Sequence, residues 1–324
     1  MRFRACKLPR PVVWPRPMKF AYITHPDCAR HEMGPHHPEC PDRVTVIHDR
    51  LRASGLLDFA AIYEAPAATL EQLDRAHTHA HVLETQALSP QQGYAAIDPD
   101  TSMNPHTWNA ARRAAGAAVL ATDLVHSGSA TRVFCNVRPP GHHATRSAAM
   151  GFCFFNNIAV GMRHALDVLG VERVALIDFD VHHGNGSEDI VAGDERILML
   201  STFQSPLYPY IGETPSAGNL VNVPLPPYSD GTALRAAVLE RWLPALNDFR
   251  PQMLFISAGF DAHYEDDISQ LRWRDDDYAW VTRELVTAAG RHAQGRIVSM
   301  LEGGYALDAL ARSVERHVRE LMEI

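Results

Sequence analysis

Short apolar runs alternate with longer amphipathic stretches along almost the whole chain, and this alternation constrains the fold more than any other feature. The stretches between the runs are rich in Ala and Leu and repeat their apolar residues about every 3.6 positions, as helices do. The apolar runs lie at residues 19–24, 132–137, 173–181, 197–202, 253–260 and 296–301. The helical stretches lie at residues 108–127, 157–169, 232–249 and 276–293. This order predicts an α/β fold of three layers, α/β/α, with helices on both faces of a mainly parallel central sheet.

The length of 324 residues suits one large domain, since α/β enzymes of this size often fold around a single sheet. Residues 1–17 are basic and proline-rich and lack the continuous apolar segment of a secretory signal, so we predict a tail there. An organelle-targeting segment is the alternative, although its prolines oppose an amphipathic helix. Residues 18–324 are predicted to form a single catalytic domain. The proline-rich stretch 206–227 is predicted to be a long loop that walls the site.

Charge and composition restrict the partners of the chain. The formal net charge of -8 argues against direct nucleic-acid binding, which depends on clustered Lys and Arg. No stretch has the 18 or so consecutive apolar residues that span a bilayer, so no membrane association is expected. The five cysteines are scattered and form no CxxC pair, which favours a reducing cytoplasm. The oligomeric state is not predicted.

The motif IDFDVHHGNG, at residues 177–186, stands at the end of an apolar run. Because successive side chains of a strand point to opposite sides, Asp178, Asp180 and His182 share one side. Ionised carboxylates are costly to bury unless a cation compensates them, and Asp with His is a common zinc-ligand set. The motif therefore predicts a metal site. A buried Asp–His pair at a capped helix start is the alternative.

Three further motifs also follow apolar runs. RPPGHH, at 138–143, places two histidines in a loop fixed by proline and glycine, and histidine with its ordinary pKa of about 6.5 can act as general base and acid. SAGFDAH, at 257–263, offers Asp261 as a third metal ligand, and LEGGY, at 301–305, offers the Tyr305 hydroxyl to a developing oxyanion. Taken singly, the two histidines could be an ordinary surface pair, Asp261 a helix N-cap and Tyr305 a packing residue. Four such strand ends together favour metal-assisted hydrolysis.

The motifs RPPGHHA, GFCFFNN, DFDVHHGNG, SAGFDAH and EGGY, in this order, resemble those of the zinc-dependent histone deacetylase family. The resemblance extends over residues 18–324 and includes HPECPDR at 37–43, which is similar to an early motif of class II-like members and bacterial histone deacetylase-like amidohydrolases. It implies an arginase/deacetylase-like α/β/α fold. It also implies a zinc-dependent amidohydrolase that removes acetyl or other short acyl groups from the ε-amine of lysine in proteins or peptides.

The resemblance assigns a metal role to several of these residues. Asp180, His182 and Asp261 match the ligands of one catalytic Zn²⁺. A zinc site with three protein ligands keeps a position open for water or substrate, which is the mark of a catalytic rather than a structural zinc. A structural K⁺ is also implied, near Asp178, Asp180, His182 and Ser201.

The remaining catalytic roles are likewise implied by the resemblance. His143 matches the general base and acid, His142 its electrostatic partner, and Asp178 the support of His142. Tyr305 matches the residue that polarises the acyl carbonyl. Asn185 stands where some family members have Asp behind the second histidine, a variation typical of the class II-like branch, and we expect it to alter the pKa of that histidine.

Substrate-binding residues are the least certain part of the resemblance, and several substrates stay open. Gly151, Phe152 and Tyr208 match a backbone contact and the aromatic walls of an acyl-lysine tunnel. Polyamine-selective relatives can have a carboxylate where this chain has Ile268, which favours acyl-lysine, although the acidic residues 265–267 lie close by. An acetylpolyamine amidohydrolase and a non-catalytic acyl-lysine binding protein are the alternatives. A binuclear arginase-type hydrolase would need ligands for a second metal, which the motif does not supply.

Overall fold

The computed structural model describes residues 20–324, and the tail predicted at residues 1–17 lies outside the described residues. A central sheet has eight strands, all paired in parallel, in the order β2-β1-β5-β10-β9-β6-β7-β8. Its strands are β1 Phe20–Thr24, β2 Ala61–Glu64, β5 Arg132–Cys135, β6 Val174–Asp178, β7 Ile197–Gln204, β8 Leu220–Leu225, β9 Met253–Ala258 and β10 Ile297–Leu301. A separate antiparallel hairpin pairs β3 Ala95–Ala96 with β4 Ser102–Met103.

Helices lie in all the connections between consecutive strands of the central sheet except the one from β7 to β8, which is a loop. They are α1 Asp42–Ala53, α2 Leu70–Asp74, α3 His79–Leu88, α4 Thr107–His126, α5 Asn157–Asp167, α6 Asn185–Val191, α7 Gly231–Ala237, α8 Leu243–Phe249, α9 Asp275–His292 and α10 Leu307–Met322. A π-helical turn, Val238–Trp242, joins α7 to α8, and short 3-10 turns lie at Pro26–Ala29 and Leu56–Phe59. The single predicted helix at 232–249 therefore contains three consecutive helical segments.

Two apolar cores, one on each face of the sheet, confirm the three-layer α/β/α prediction. Strand β6 illustrates the division, because Val174 and Leu176 belong to one core whereas Ala175 and Ile177 belong to the other. The first core includes the buried alanines of α4 and the apolar face of α5, and the second includes the apolar faces of α1, α9 and α10. The continuous apolar runs predicted as strands are therefore buried on both faces.

All six predicted strands are present, but the prediction of a long loop at 206–227 is wrong in its last part. Strand β8 lies within that stretch and pairs with β7 from Met199↔Leu220 to Gln204↔Leu225. Proline is disfavoured in central strands, and for this reason the proline-rich stretch is expected to be a loop. It is tolerated in a strand at the edge of a sheet. β8 is such an edge strand.

The order of the strands brings the four chemical motifs together. Strands β5, β10, β9 and β6 are consecutive neighbours in the sheet, and each of them is followed by one of the motifs. Since all four strands run in the same direction, their carboxyl ends meet at one edge, where α/β proteins form their sites.

Candidate active site

Asp180, His182 and Asp261 are brought together directly beyond β6 and β9. Their candidate ligand atoms all lie within 4.8 Å of one another, and all three residues are buried. His182 Nδ1 lies 3.1 Å from Asp180 Oδ1 and 3.2 Å from Asp261 Oδ2. Among residues 20–324, no other group of three or more His, Cys, Asp or Glu side chains was found that could hold a metal in this way. The predicted ligand set is therefore brought together by the fold.

The donor atoms of this trio fit a divalent cation. Asp261 Oδ2 is buried and accepts no backbone N–H within the described part of the chain. It faces His182 Nδ1 at 3.2 Å, which itself belongs to a candidate ligand. Burying such a carboxylate oxygen is costly unless a cation or a proton faces it. Burial and the neighbouring Asp180 raise the pKa of Asp261 to about 6. Two carboxylate oxygens and one imidazole nitrogen are a ligand set that Zn²⁺ accepts.

The two histidines after β5 lie beside the trio and have different partners. His142 Nδ1 lies 3.0 Å from Asp178 Oδ2, and its Nε2 lies 3.7 Å from Asp180 Oδ1. His143 Nδ1 lies 2.7 Å from Asn185 Oδ1, which is a neutral partner. The ring centroids of the two histidines are 4.1 Å apart.

These partners drive the pKa values of the two histidines apart. Burial by itself lowers the pKa of His142, but the carboxylates of Asp180 and Asp178 outweigh it and raise the pKa to about 10. Burial and the nearby His142 and His182 hold the pKa of His143 well below its ordinary range. His142 is therefore the cationic member of the pair and His143 the neutral one. A separation of this kind is what an acid–base pair requires.

Tyr305 also lines the site and is held by one contact to its backbone and one to its ring. Asp266 Oδ2 accepts the Tyr305 backbone N–H at 2.6 Å, and the guanidinium carbon of Arg43 lies 4.9 Å from the ring centroid. Burial raises the pKa of Tyr305 well above its ordinary value, although Arg43 opposes the shift. Its phenol therefore stays protonated and able to donate a hydrogen bond.

A cavity of about 380 Å³ leads to these groups. Gly151, Phe152 and Tyr208 all line it, together with His142, His143, His182 and Tyr305. The Phe152 ring lies 6.0 Å from the Tyr305 ring, and the Tyr208 ring lies 5.2 Å from the His143 ring. Gly151 has a φ of +54°, and a Cβ there would lie 2.6 Å from His143 Cδ2. The three predicted substrate-binding residues are therefore beside the predicted catalytic ones.

Two of the three acidic residues considered near the mouth of the cavity have other partners, whereas Asp267 is exposed. Ile268 lines the cavity, as expected. Glu265 forms an ion pair with Arg312. Asp266 is buried and accepts the backbone N–H groups of Tyr305 and Ala306. Neither carboxylate is therefore free to meet a substrate.

Ser201, predicted at a potassium site, faces Asp178 in the register of β6 and β7. Its Oγ is buried and has no hydrogen-bond partner among residues 20–324. An oxygen of this kind suits a cation, and the potassium site stays a prediction.

Several residues of the site escape prediction from the sequence. Glu302 Oε2 accepts the backbone N–H groups of Gly141 and His142, at 2.7 and 3.1 Å, and so fixes the histidine loop. Its position within LEGGY was the only local signal. Asp100 and Tyr210 line the cavity without any motif that marks them.

Comparisons with known proteins agree with this geometry. Residues 37–321 match the model of the histone deacetylase domain. The chain is 37% identical to the histone deacetylase-like amidohydrolase of Pseudomonas aeruginosa, over 86% of this chain and 80% of that protein. It is 35% identical to the mouse polyamine deacetylase HDAC10, over 88% of this chain and 45% of that protein. The crystal structure of the HDA15 HD domain is similar with a TM-score of 0.88 and 30% identity, over 94% of this chain and 90% of that one.

A parallel α/β/α sheet with a polar site at its carboxyl edge, and relatives of this kind, define the class of the chain as an amidohydrolase of the deacetylase type. The chain belongs to the histone deacetylase family. Within residues 20–324, no helix is both long and apolar enough to cross a membrane.

Proposed function

We propose that the protein is a zinc-dependent amidohydrolase that removes acetyl or other short acyl groups from the ε-amine of lysine in proteins or peptides. One observation carries the proposal. Asp180, His182 and Asp261 form a buried metal-ligand trio beside a cavity that His143 and Tyr305 also line. A cavity with these groups can admit an alkyl chain that ends in a flat amide.

In this mechanism Asp180, His182 and Asp261 hold Zn²⁺, which as a Lewis acid lowers the pKa of water and polarises a carbonyl. His143, neutral in its resting state, takes the proton of the attacking water and later gives a proton to the leaving amine. His142, held cationic by Asp178 and Asp180, stabilises negative charge that develops beside it.

Tyr305 donates its phenolic hydrogen to the acyl oxygen as charge develops there, which is the role of an oxyanion-hole donor. Its raised pKa keeps this hydrogen in place at neutral pH. Asn185 orients His143 through Nδ1, and as a neutral amide it leaves the pKa of His143 low. The aromatic rings of Phe152 and Tyr208 keep water away from the alkyl chain of the substrate.

An acetylpolyamine is the second candidate substrate, and one observation favours it. Asp100 lines the cavity, and its carboxylate could accept the distant ammonium of an acylated polyamine. Against this, the apolar Ile268 occupies the cavity wall after β9. A non-catalytic acyl-lysine binding protein is the third candidate, but such a protein would not need the complete set of His143, Tyr305 and metal ligands.

Two further features belong to the proposal. Ser201, Asp178, Asp180 and His182 hold K⁺ as a structural ion; the buried, unpartnered Ser201 Oγ supports this. The protein works in a reducing cytoplasm, and the free thiols of Cys28, Cys40, Cys135 and Cys153 are consistent with that.

The test compares acetate release from an acetyl-lysine peptide and from acetylputrescine by the zinc-loaded protein. We expect Tyr305→Phe to lower kcat by about 10² to 10³, the usual effect of losing one oxyanion donor. We expect His143→Ala to lower it by about 10² to 10⁴, the usual contribution of a general acid–base residue. The ratio of the two wild-type rates selects between lysine and polyamine.

Tyr94→Phe is a matched control, because it removes the hydroxyl of an exposed tyrosine that bonds to Glu32. It should leave both rates unchanged. Bound zinc is measured in every variant so that loss of metal is separated from loss of chemistry. Turnover that survives in Tyr305→Phe and His143→Ala would contradict the mechanism. No turnover of either substrate by the zinc-loaded wild type would favour the binding protein.

A further inference from the structure

A second concavity, also of about 380 Å³, adjoins the catalytic cavity along the segment 268–274. Ile268, the first residue of this segment, lines the catalytic cavity, whereas the residues from Ser269 to Arg274, except Trp273, line the second one. Ser269 Oγ also donates to the backbone carbonyl of Asp261 at 2.7 Å. A molecule in the second concavity therefore contacts the same short segment that forms a wall of the catalytic cavity and supports a candidate metal ligand.

Two arginine–tyrosine pairs dominate the lining of this concavity. The guanidinium carbon of Arg272 lies 5.0 Å from the ring centroid of Tyr228, and that of Arg274 lies 5.4 Å from the ring centroid of Tyr264. Both tyrosines are exposed, by 60% and 54% respectively. Exposed Arg and Tyr are the residue types that most often form binding hot spots.

The two arginines of this surface form no ion pair of their own within the described part of the chain, and Arg274 also lines a neighbouring concavity that contains Glu265, Asp275 and Asp276. No carboxylate lines the concavity, and none forms an ion pair with Arg272 or Arg274 anywhere in residues 20–324. The acidic neighbours along the chain have other partners, since Glu265 and Asp275 pair with Arg312 and Asp276 pairs with Arg316. Two arginines that form no ion pair and lie two positions apart in the sequence are suited to an external anion.

Hydrogen bonds hold the backbone of this segment in place. Arg272 and Arg274 alternate with the buried side chains of Leu271 and Trp273. The Arg272 backbone N–H donates to the carbonyl of Ser229 at 2.9 Å, and that of Trp273 donates to Ala262 at 3.1 Å. A surface that is fixed before binding loses little conformational entropy on binding.

Tyr228 also has an unusual backbone. Its φ is 69°, in the left-handed region that costs a bulky residue of the order of 1 kcal/mol or more. The other aromatic residues described with positive φ, Phe152 at 69° and Tyr210 at 62°, both line the catalytic cavity. A strained exposed tyrosine, in a turn that glycine would fit better, indicates that the aromatic side chain itself is used there.

We propose that this concavity is a secondary subsite that binds an acidic side chain flanking the acyl-lysine of a peptide substrate. The inference rests on the proposed function. Arg272 and Arg274 hold the carboxylate by charge-assisted hydrogen bonds, and Tyr228 and Tyr264 pack against its alkyl stem. A polycationic acylpolyamine gains nothing from this subsite, so the subsite selects peptides over polyamines.

The test uses acetyl-lysine peptides that differ by Glu or Gln at one position, scanned along both sides of the acetyl-lysine. The wild type is expected to prefer Glu over Gln at one or more positions, by roughly tenfold in kcat/KM, the change that about 1.4 kcal/mol gives. The double variant Arg272→Gln/Arg274→Gln should lose this preference and keep its rate on an acetyl-lysine amide without flanking residues. Raising the salt concentration should reduce the preference in the wild type.

Arg283→Gln is the matched control, because it removes an exposed arginine of α9 that pairs with Glu320. It should keep the preference for Glu. Equal rates for all Glu and Gln peptides, or a preference that survives in the double variant, would overturn the subsite. Failure of the proposed function is distinguishable, since the wild type would then turn over no acetyl-lysine substrate at all.

In that case the affinity of Tyr305→Phe protein for the labelled peptides, measured by fluorescence anisotropy, still tests the subsite. A Glu peptide that binds no tighter than its Gln counterpart would overturn it.

Discussion

The candidate metal ligands are fixed by backbone N–H groups and by the absence of a side chain at one position. Gly303 donates its N–H to Asp180 Oδ2 at 2.8 Å, and Val181 donates to Asp261 Oδ1 at 3.0 Å. A Cβ on residue 303 would lie 2.1 Å from Asp261 Oδ2 and 2.6 Å from Asp180 Oδ2. A side chain at residue 303 would therefore overlap the carboxylates of two candidate ligands.

We therefore expect Gly303→Ala to reduce zinc binding, because the added methyl group displaces the carboxylates of two candidate ligands. Metal content after dialysis and acetate release measure the effect, and a loss of tenfold or more in affinity is expected, as for other changes beside metal ligands. Gly290→Ala is the control, since no atom lies within 4 Å of its added Cβ. It lies inside α9, where Ala should raise stability by up to about 1 kcal/mol. Full zinc occupancy in Gly303→Ala would contradict the argument.

Two loops of the site are joined by one buried carboxylate. Asp266, in the segment after β9, accepts the N–H groups of Tyr305 and Ala306 after β10, at 2.6 and 3.0 Å. Its other oxygen accepts the N–H of Ile268 at 3.2 Å. The position of Tyr305 over the cavity therefore depends on a residue that does not line that cavity.

Asp266→Asn should lower kcat by roughly tenfold and change KM little, because an amide N–H would face backbone N–H groups and shift Tyr305. The exposed Asp267→Asn is the control and should behave as the wild type. If Asp266 acts through Tyr305, adding Asp266→Asn to Tyr305→Phe should cause little further loss. If the losses of kcat in the two single variants instead multiplied in the double variant, the coupling would be refuted.

The strands of the central sheet that sequence patterns did not predict are its two edges. β2 and β8 stand at the ends of the strand order, and both alternate between more and less buried residues. The six predicted strands are buried on both faces and therefore appear as continuous apolar runs. Edge strands lack such runs, so the sequence pattern predicts no strand at β2 and predicts a loop at β8.

The site residues divide in a similar way, into those that stand in a local motif and those defined by partners far away in sequence. The metal-ligand trio, the histidine pair and Tyr305 were predictable because each stands in a distinctive motif at a strand end. Glu302 and Asp266 were not, because their partners are backbone N–H groups far away in sequence. A pattern of side chains in the sequence does not show which backbone N–H groups a carboxylate accepts.

At the scale of the whole molecule, a buried ionic cluster joins segments from the beginning, middle and end of the chain. Glu39 accepts hydrogen bonds from Arg138 at 2.6 Å and from Arg43 at 3.0 Å, and all three side chains are fully buried. Arg43 in turn donates to the carbonyl of Gly304 at 2.7 Å. The early HPECPDR motif is thereby connected to the RPPGHH motif, which contains the two histidines, and to the LEGGY motif, which contains Tyr305.

Glu39→Gln should destabilise the protein by about 3–5 kcal/mol at pH 7, since it leaves two buried guanidinium groups without their carboxylate. Burial alone would raise the pKa of Glu39, but Arg138 and His31 outweigh it and hold the pKa well below 4.5. The carboxylate therefore contributes stability above about pH 4.5, and this contribution is lost as the pH falls through the lower folded-state value.

Denaturant unfolding of the wild type and of Glu39→Gln across the acidic range measures this difference. The difference between their free energies of unfolding should be constant near neutral pH and should become smaller below about pH 4.5. Glu64→Gln, an exposed residue at the end of β2, is the control and should show no such difference. A difference that is equally large at all pH values would argue against an ionised Glu39.

The free edge of β8 has a consequence for association between copies of the chain. Pro224 is exposed within that strand and has no backbone N–H. An approaching strand would therefore find one donor fewer along this edge, and the proline ring would obstruct its close approach. The parallel sheet is thus discouraged from growing into a continuous intermolecular ribbon on the side of β8.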